Sequence, residues 1–410
     1  MGISDVSRFA LGCCASVVVL GGCGGGTSLS PSPAGHSTSL SVTSTERVRS
    51  NLRYKVLYSL GGSGDAANPY AGLINVNGML YGTTAYGGAN GDGTVFSITP
   101  SGTETVLYSF KGGSGDGEYP FAGLINVKGT FYGTTSEGGA NCDSSGGCGT
   151  VFAITPSGTE TVLHSFGGSG DGNGPLAGLI NVKDELYGTT MEGGANGDGT
   201  VFSITRSATE TVLYSFKGGS ADGEFPLAGL INVKGTLYGT TVYGDASNDG
   251  TVFSITPAGT ETMIYGFKGG SGDGERPYAG LINVNGTLYG TTHLGGANGY
   301  GAVFSMTTSG TETVLYSFKG GSGDGEYPYA RLINVKGRLY GTTIEGGANG
   351  VGTVFSTTRS GIEKVLHNFG GAGDGQYPYY GGLINVKGKL YGTTYYGGAN
   401  GNGTVFRLSL

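Results

Sequence analysis

Hydrophobic positions in this chain come in short bursts, separated by stretches in which glycine is the commonest residue. One stretch shows the pattern: GLINVK at 123 to 128, TFYGTT at 130 to 135, GTVFAIT at 149 to 155 and TETVLHSF at 159 to 166. Each burst is rich in Val, Ile, Thr, Tyr and Phe and is too short for a helix, so each predicts a β-strand. We letter the four strands A, B, C and D. Lys128-Gly129 between A and B, and Pro156-Ser157-Gly158 between C and D, predict tight hairpins, whereas B to C and D to A are longer glycine-rich loops.

The four-strand pattern repeats. The Tyr-Gly-Thr-Thr of strand B starts at Tyr81, Tyr132, Tyr187, Tyr238, Tyr289, Tyr340 and Tyr391, at a spacing of 51 residues except for one interval of 55. The long interval carries the insertion CDSSGGC, Cys142 to Cys148. A four-stranded unit of about 50 residues is the signature of a propeller blade, which needs a neighbour on each side to bury both its faces. The ends sharpen this reading. YKVLYSL, residues 54 to 60, is a D strand with no A, B or C before it, and GTVFRLSL, residues 403 to 410, is a C strand with no D after it. An open stack has no use for that permutation; a closed ring does. The expectation is an all-β, seven-bladed β-propeller of four-stranded blades, with the N-terminal strand 54–60 completing the last blade, 383–410. The glycines in Tyr-Gly-Thr-Thr and just before strand A predict close packing of backbones toward the axis. Arg331 replaces the second of these in one blade.

The pattern NGxLYGTTxxGGxxxxGTVFxxTxxG resembles the GloVer tandem repeat of bacterial exported and anchored proteins, and more distantly the kelch repeat. The resemblance implies a repeat β architecture on an exported protein, with no activity or catalytic residues to carry over. Kelch blades usually carry a tryptophan in the outer strand and this chain has none, so kelch functions are not implied.

Composition supports this picture. The 88 glycines and 12 prolines would suggest disorder without the periodicity, which decides against it. A net charge of −7 with no Lys/Arg cluster argues against a nucleic-acid partner. At the N-terminus, FALGCCASVVVL after Arg8 is apolar but too short to span a bilayer, and it ends in Leu20-Gly21-Gly22-Cys23, which resembles a lipoprotein lipobox. The expected organisation is a signal peptide over 1–22, a lipidated Cys23 opening a Gly/Ser/Thr/Pro tether over 23–52, and the propeller over 53–410. A plain cleaved signal is the alternative. The protein would then be a monomer in the bacterial cell envelope, touching membrane only through its lipid. Cys142 and Cys148 predict a disulfide across the enlarged loop in such an oxidising compartment.

In a propeller the D to A and B to C loops share one face, the usual ligand face. Comparing the copies singles out the two residues after each Tyr-Gly-Thr-Thr, which vary within a rigid frame and include Tyr86, Glu137, Glu192, Tyr243, His293, Glu345, Tyr395 and Tyr396. The residue before the loop proline adds Tyr119, Phe225, Arg276, Tyr327 and Tyr377. Aromatic rings beside carboxylates suit sugars, because a ring face stacks on a pyranose while polar edges bond its hydroxyls. The D to A loop repeats an acidic turn in which Asp116, Asp222, Asp273 and Asp324 are followed two residues later by Glu118, Glu224, Glu275 and Glu326. The aspartates either bond their own turn backbone or, with the glutamates, offer oxygens to Ca2+, the one cofactor the pattern suggests. Catalysis needs different groups in one place, and near-identical blades offer little asymmetry. His164 and His367 fall on outer strands, far apart. The reading is therefore a binding or scaffolding module for a glycan or protein ligand, not an enzyme. The alternatives are a glycoside hydrolase or polysaccharide lyase using carboxylates such as Glu137 and Glu192, and a structural envelope protein.

Overall fold

The computed structural model describes residues 53–141 and 148–410, so Cys23, Cys142, the signal and the tether lie outside the described residues. The chain divides into Met1–Arg49 and Ser50–Leu410, and every described residue belongs to the second unit. That unit is a propeller of seven four-stranded antiparallel blades. In the second blade the strands are Ile125–Val127 (A), Thr130–Thr135 (B), Thr150–Ile154 (C) and Glu160–Ser165 (D). Six blades use consecutive chain in this way. The seventh takes A, B and C from Ile384–Val386, Lys389–Thr394 and Thr404–Ser409, and its D strand is Tyr54–Ser59, with Tyr54 opposite Leu408 and Ser59 opposite Thr404. The first strand of the repeat region thus closes the ring. No helix among the described residues is long and apolar enough to cross a membrane.

The local sequence explains the elements. Lys128 and Gly129 have φ of 53° and 92°, the paired positive values of a type I′ hairpin turn, whose twist matches the strands it joins. The glycine of Tyr-Gly-Thr-Thr makes room for a side chain rather than for backbone. A methyl on Gly239 would stand 2.5 Å from the ring tip of Phe253, its cross-strand partner, so the phenylalanine of strand C lies across the glycine of strand B. At the axis the glycine ahead of strand A does face backbone: a methyl on Gly280 would stand 3.0 Å from the carbonyl oxygen of Gly229 in the preceding blade.

Each hydrophobic cluster belongs to two blades. Val151 and Phe166 of the second blade pack with Leu179, Leu186, Phe202 and Ile204 of the third. The closing seam repeats the arrangement, joining Tyr391 and Val405 to Leu73, Leu80 and Phe96. Where strand D ends, a buried ring meets the strand C ring of the next blade edge to face at six interfaces, as in Phe110 with Phe152 at 5.1 Å and Phe369 with Phe406 at 5.2 Å, and Leu60 takes that place in the closing seam. Five interfaces add a latch in which the first threonine of Tyr-Gly-Thr-Thr donates to the next blade's alanine carbonyl, for example Thr83 to Ala122 at 2.7 Å.

The outer side of the interfaces carries carboxyl groups. Asp116 Oδ2 accepts from the Tyr108 hydroxyl at 2.7 Å and the Lys111 N–H at 2.9 Å, while Oδ1 accepts from the Gly117 N–H at 2.7 Å. The glutamate that opens the next blade's strand D sits against this aspartate. Burial, and then the aspartate's charge, push Glu104 up to about 8 and Glu160, Glu210, Glu261, Glu312 and Glu363 up to about 7. A raised carboxyl pKa favours the protonated folded state, so this contribution is complete below the ordinary glutamate range and is lost as pH climbs toward 7 to 8. The melting temperature is therefore expected to fall between about pH 5 and about pH 9, and Glu104→Gln to shrink that fall. A melting temperature that is flat or rising over this interval would contradict the assignment.

Candidate functional site

Directly after strand B, two residues pair with two residues of the D to A loop, and they do so in every blade. This pairing brings both long loops to one face. It also sets the second residue of each variable pair across from the residue two beyond the loop aspartate. Glu137 faces Glu118, Glu345 faces Glu326, Tyr243 faces Glu224, Tyr396 faces Gln376 and Tyr86 faces Ala67. Burial and the facing glutamate both raise the pKa of Glu137 and of Glu345. Glu192 is raised by burial and lies across from Asn173, whose side-chain amide donates to it at 3.5 Å. Glu137 and Glu192 thus belong to neighbouring blades, each with its own partner. Glu275 faces Leu294, and burial followed by the charge of Asp249 raises it.

The residue before the loop proline takes a left-handed backbone in all seven copies. Asn68, Tyr119, Phe225, Arg276, Tyr327 and Tyr377 have φ between 53° and 57°, and Gly174 has 63°. Bulky residues avoid this region unless the surroundings enforce it. Here the enforcement is a two-sided staple. The Tyr119 N–H donates to Asp92 in the preceding blade at 3.0 Å, and the Tyr119 carbonyl accepts from Ser136 in its own blade at 3.1 Å. Arg276 is held likewise between Asp249 and His293. The first residue of the variable pair is buried in four blades, as Ala85, Ser136, Val242 and Ile344, so much of its variation is packing.

The side chains just beyond the proline form a ring around the axis. They are Tyr70, Phe121, Leu176, Leu227, Tyr278, Tyr329 and, in the seventh blade, both Tyr379 and Tyr380. All are partly exposed. Five consecutive blades therefore present aromatic rings and two present leucine. The rings touch in sequence: Tyr278 to Tyr329 at 4.7 Å, Tyr329 to Tyr380 at 5.3 Å, Tyr380 to Tyr70 at 5.1 Å and Tyr70 to Phe121 at 4.7 Å. Tyr119 and Tyr86 extend the crescent at one end, at 6.4 and 5.2 Å. Tyr395 joins it through Tyr379 and Tyr70, and Tyr396 and Tyr377 lie behind Tyr395. His293 packs among Tyr278, Tyr327 and Tyr329 with centroids 4.5 to 5.2 Å away. Burial, helped by the charge of Arg276, holds its pKa down at about 3. Arg276 lies over the Tyr243 ring at 5.3 Å.

Reading the variable pairs and the residue before the proline locates this face. It passes over Tyr70, Phe121, Tyr278, Tyr329, Tyr379 and Tyr380, the side chains nearest the axis, although aligning the residue after the proline across the copies would have shown them. The repeated aspartates point elsewhere. Asp222, Asp273 and Asp324 are buried like Asp116, each engaged by a tyrosine hydroxyl and backbone N–H groups. Glu118 and Glu326 accept from Gly113 and Gly321. Calcium needs six to eight convergent oxygens, and this geometry commits the aspartate oxygens to N–H and O–H donors. His164 and His367 take the tyrosine's role against Asp171 and Asp374, at 3.0 and 2.9 Å. His164, Asp171 and Glu210 are the one group among the described residues whose ligand atoms would suit a metal, and they lie on two neighbouring outer strands and the loop aspartate between them, not in the aromatic ring at the axis.

The sequence pattern of the Gloeobacter/Verrucomicrobia repeat matches residues 26–147, 115–282 and 246–410. The chain belongs to this repeat family. In fold, this member of the Gloeobacter/Verrucomicrobia repeat family is similar to the puromycin-hydrolyzing peptidase of Mycobacterium tuberculosis, with 12% identity over 82% of this chain and 50% of that one and a TM-score of 0.51. It is also similar to PorZ, a surface component of the type-IX secretion system of Porphyromonas gingivalis, with 14% identity over 85% and 47% and a TM-score of 0.50. A 6-phosphogluconolactonase-like structure from Bacteroides uniformis gives 15% identity over 77% and 88% with a TM-score of 0.48. The chain spans about half the length of the first two. At these identities the likeness concerns the fold alone. No curated protein matches the sequence.

Because His293 is enclosed by rings and beside a guanidinium, its proton resonances are expected to stay constant from about pH 5 to about pH 8. A titration midpoint near the ordinary histidine value would contradict the packing described.

Proposed function

We propose that the protein is an exported, lipid-anchored binding module whose loop face holds a glycan, without catalysis. One observation carries the proposal: the continuous aromatic crescent from Tyr278 through Tyr329, Tyr380 and Tyr70 to Phe121, on one side of an otherwise sevenfold face. Partly exposed tyrosines offer flat apolar area with a hydroxyl at the edge, the combination that suits a pyranose. Glu137, Glu192 and Glu345, with Tyr86, Tyr243 and Tyr396, lie farther out, where a longer chain would meet them. The lipobox-like Leu20-Gly21-Gly22-Cys23 and the tether support anchoring outside the cytoplasm, and Cys148, buried in the second interface, is proposed to pair with Cys142.

A catalytic reading has one observation in its favour, the facing carboxyl pair Glu118 and Glu137 with Glu137 raised. The same pairing recurs at Glu326 and Glu345, which suits a repeated frame better than one active site.

The test is a glycan array probed with the protein, with calcium and again with chelator. Discrete glycan hits are expected in both runs, and Tyr70→Ala combined with Tyr329→Ala should weaken them at least about tenfold, since two ring contacts at roughly 1 kcal/mol each exceed the about 1.4 kcal/mol of a tenfold change. No hits, or hits untouched by the double substitution, would overturn the assignment. New reducing ends released from a bound glycan would overturn its non-catalytic part.

A further inference from the structure

Three departures from sevenfold symmetry fall together at the axis. Arg331 stands where the other blades have Gly72, Gly123, Gly178, Gly229, Gly280 and Gly382. The following blade carries an additional residue after its loop proline, giving the pair Tyr379-Tyr380. The third departure is in the threonine latch. It is missing on both sides of the blade that holds Arg331, where the buried hydroxyls of Thr291 and Thr342 have no partner.

Arg331 lines the axial channel, a space of about 170 Å³ walled by the residues that lead into the seven A strands. One water needs about 10 to 15 Å³ of such space, so the channel admits a small polar group with its hydration. Arg331 is the one charged side chain among the residues lining it, which include Tyr278, Tyr329 and Tyr380. Its stem runs beside Gly382, where a methyl group would stand 3.4 Å from Arg331 Cγ. The side chain is exposed, yet enclosure by protein lowers its pKa, as befits a group facing an interior channel. No described residue supplies its guanidinium with a hydrogen bond or a counter-charge. Strand A is the edge strand of every blade, so unpaired backbone N–H and C=O groups both face this space, and the guanidinium is what gives it a charge. A guanidinium with five donors, set beside phenols with no acid among the lining residues, is built to receive an anion. Position narrows the choice. These residues precede strand A, at the loop-face end of the channel, directly under the aromatic crescent.

We propose that Arg331 binds the carboxylate of an acidic saccharide whose ring is stacked on the crescent, an inference that rests on the glycan reading above. Neutral sugars would use the rings alone, and the channel would select for uronic-acid-type residues.

Titration calorimetry of the full chain with trigalacturonate, its methyl ester and free glucuronate tests this. Arg331→Gly installs the residue of the other six blades, so it leaves the ring intact. Trigalacturonate is expected to bind at least about tenfold tighter than its ester, a charge-assisted contact being worth that much. Arg331→Gly should erase the ratio, whereas Tyr329→Ala should weaken both forms and preserve it. A ratio unchanged in Arg331→Gly, or an ester that binds the native chain as well as the acid, would overturn the anion site and leave the crescent standing. Saturable glucuronate binding lost in Arg331→Gly, with neither oligosaccharide bound, would keep the anion site and overturn the crescent. Binding of none of the three would overturn both.

Discussion

The structure depends on a phenylalanine ring laid across a glycine. In each blade the strand C ring covers the bare backbone of Tyr-Gly-Thr-Thr and reaches the neighbouring blade, as Phe152 does over Gly133 against Phe110. The hydrophobic layer so formed lies between blades, so a single blade has nothing to fold around. Every interface must therefore be made, including the last. Tyr54–Ser59, paired with Thr404–Ser409, makes it.

This constraint also decides where the chain is free to vary. Strands B and C are locked by the ring-on-glycine contact, and the D to A loop is locked by its aspartate and by the staple before the proline. What remains free are the side chains these locked backbones point toward solvent and toward the axis. Seven identical units would present seven identical surfaces, whereas recognition of one ligand calls for a difference. The differences cluster: leucine at 176 and 227, aromatic rings elsewhere around the mouth, and a single arginine in a circle of glycines.

Much of the fold was legible in the sequence because a repeat states each rule seven times. The strands, the hairpins at Lys128-Gly129 and its counterparts, the shared loop face and the closing strand could all be read from spacing alone. The role of the glycine in strand B could not, since a glycine says only that a side chain is unwelcome and not whether backbone or a ring takes the space. The candidate site was half legible. Variable residues such as Tyr86 and Tyr396 stood out against a constant frame, while Tyr329 and its equivalents read as part of a loop until the ring brought them together around the axis. Arg331 was visible as an exception, but its meaning depends on the channel, which exists only once the ring is closed.

Whether a ligand sits where the symmetry breaks at the axis is read most directly by hydrogen exchange of the full chain with and without saturating trigalacturonate. Protection is expected at 278–280, 329–331, 379–383 and 70–73, with the equivalent segments at 176–178 and 227–229 unchanged. Protection spread evenly over the seven blades, or centred on the two leucine blades, would contradict a ligand site at the broken axis.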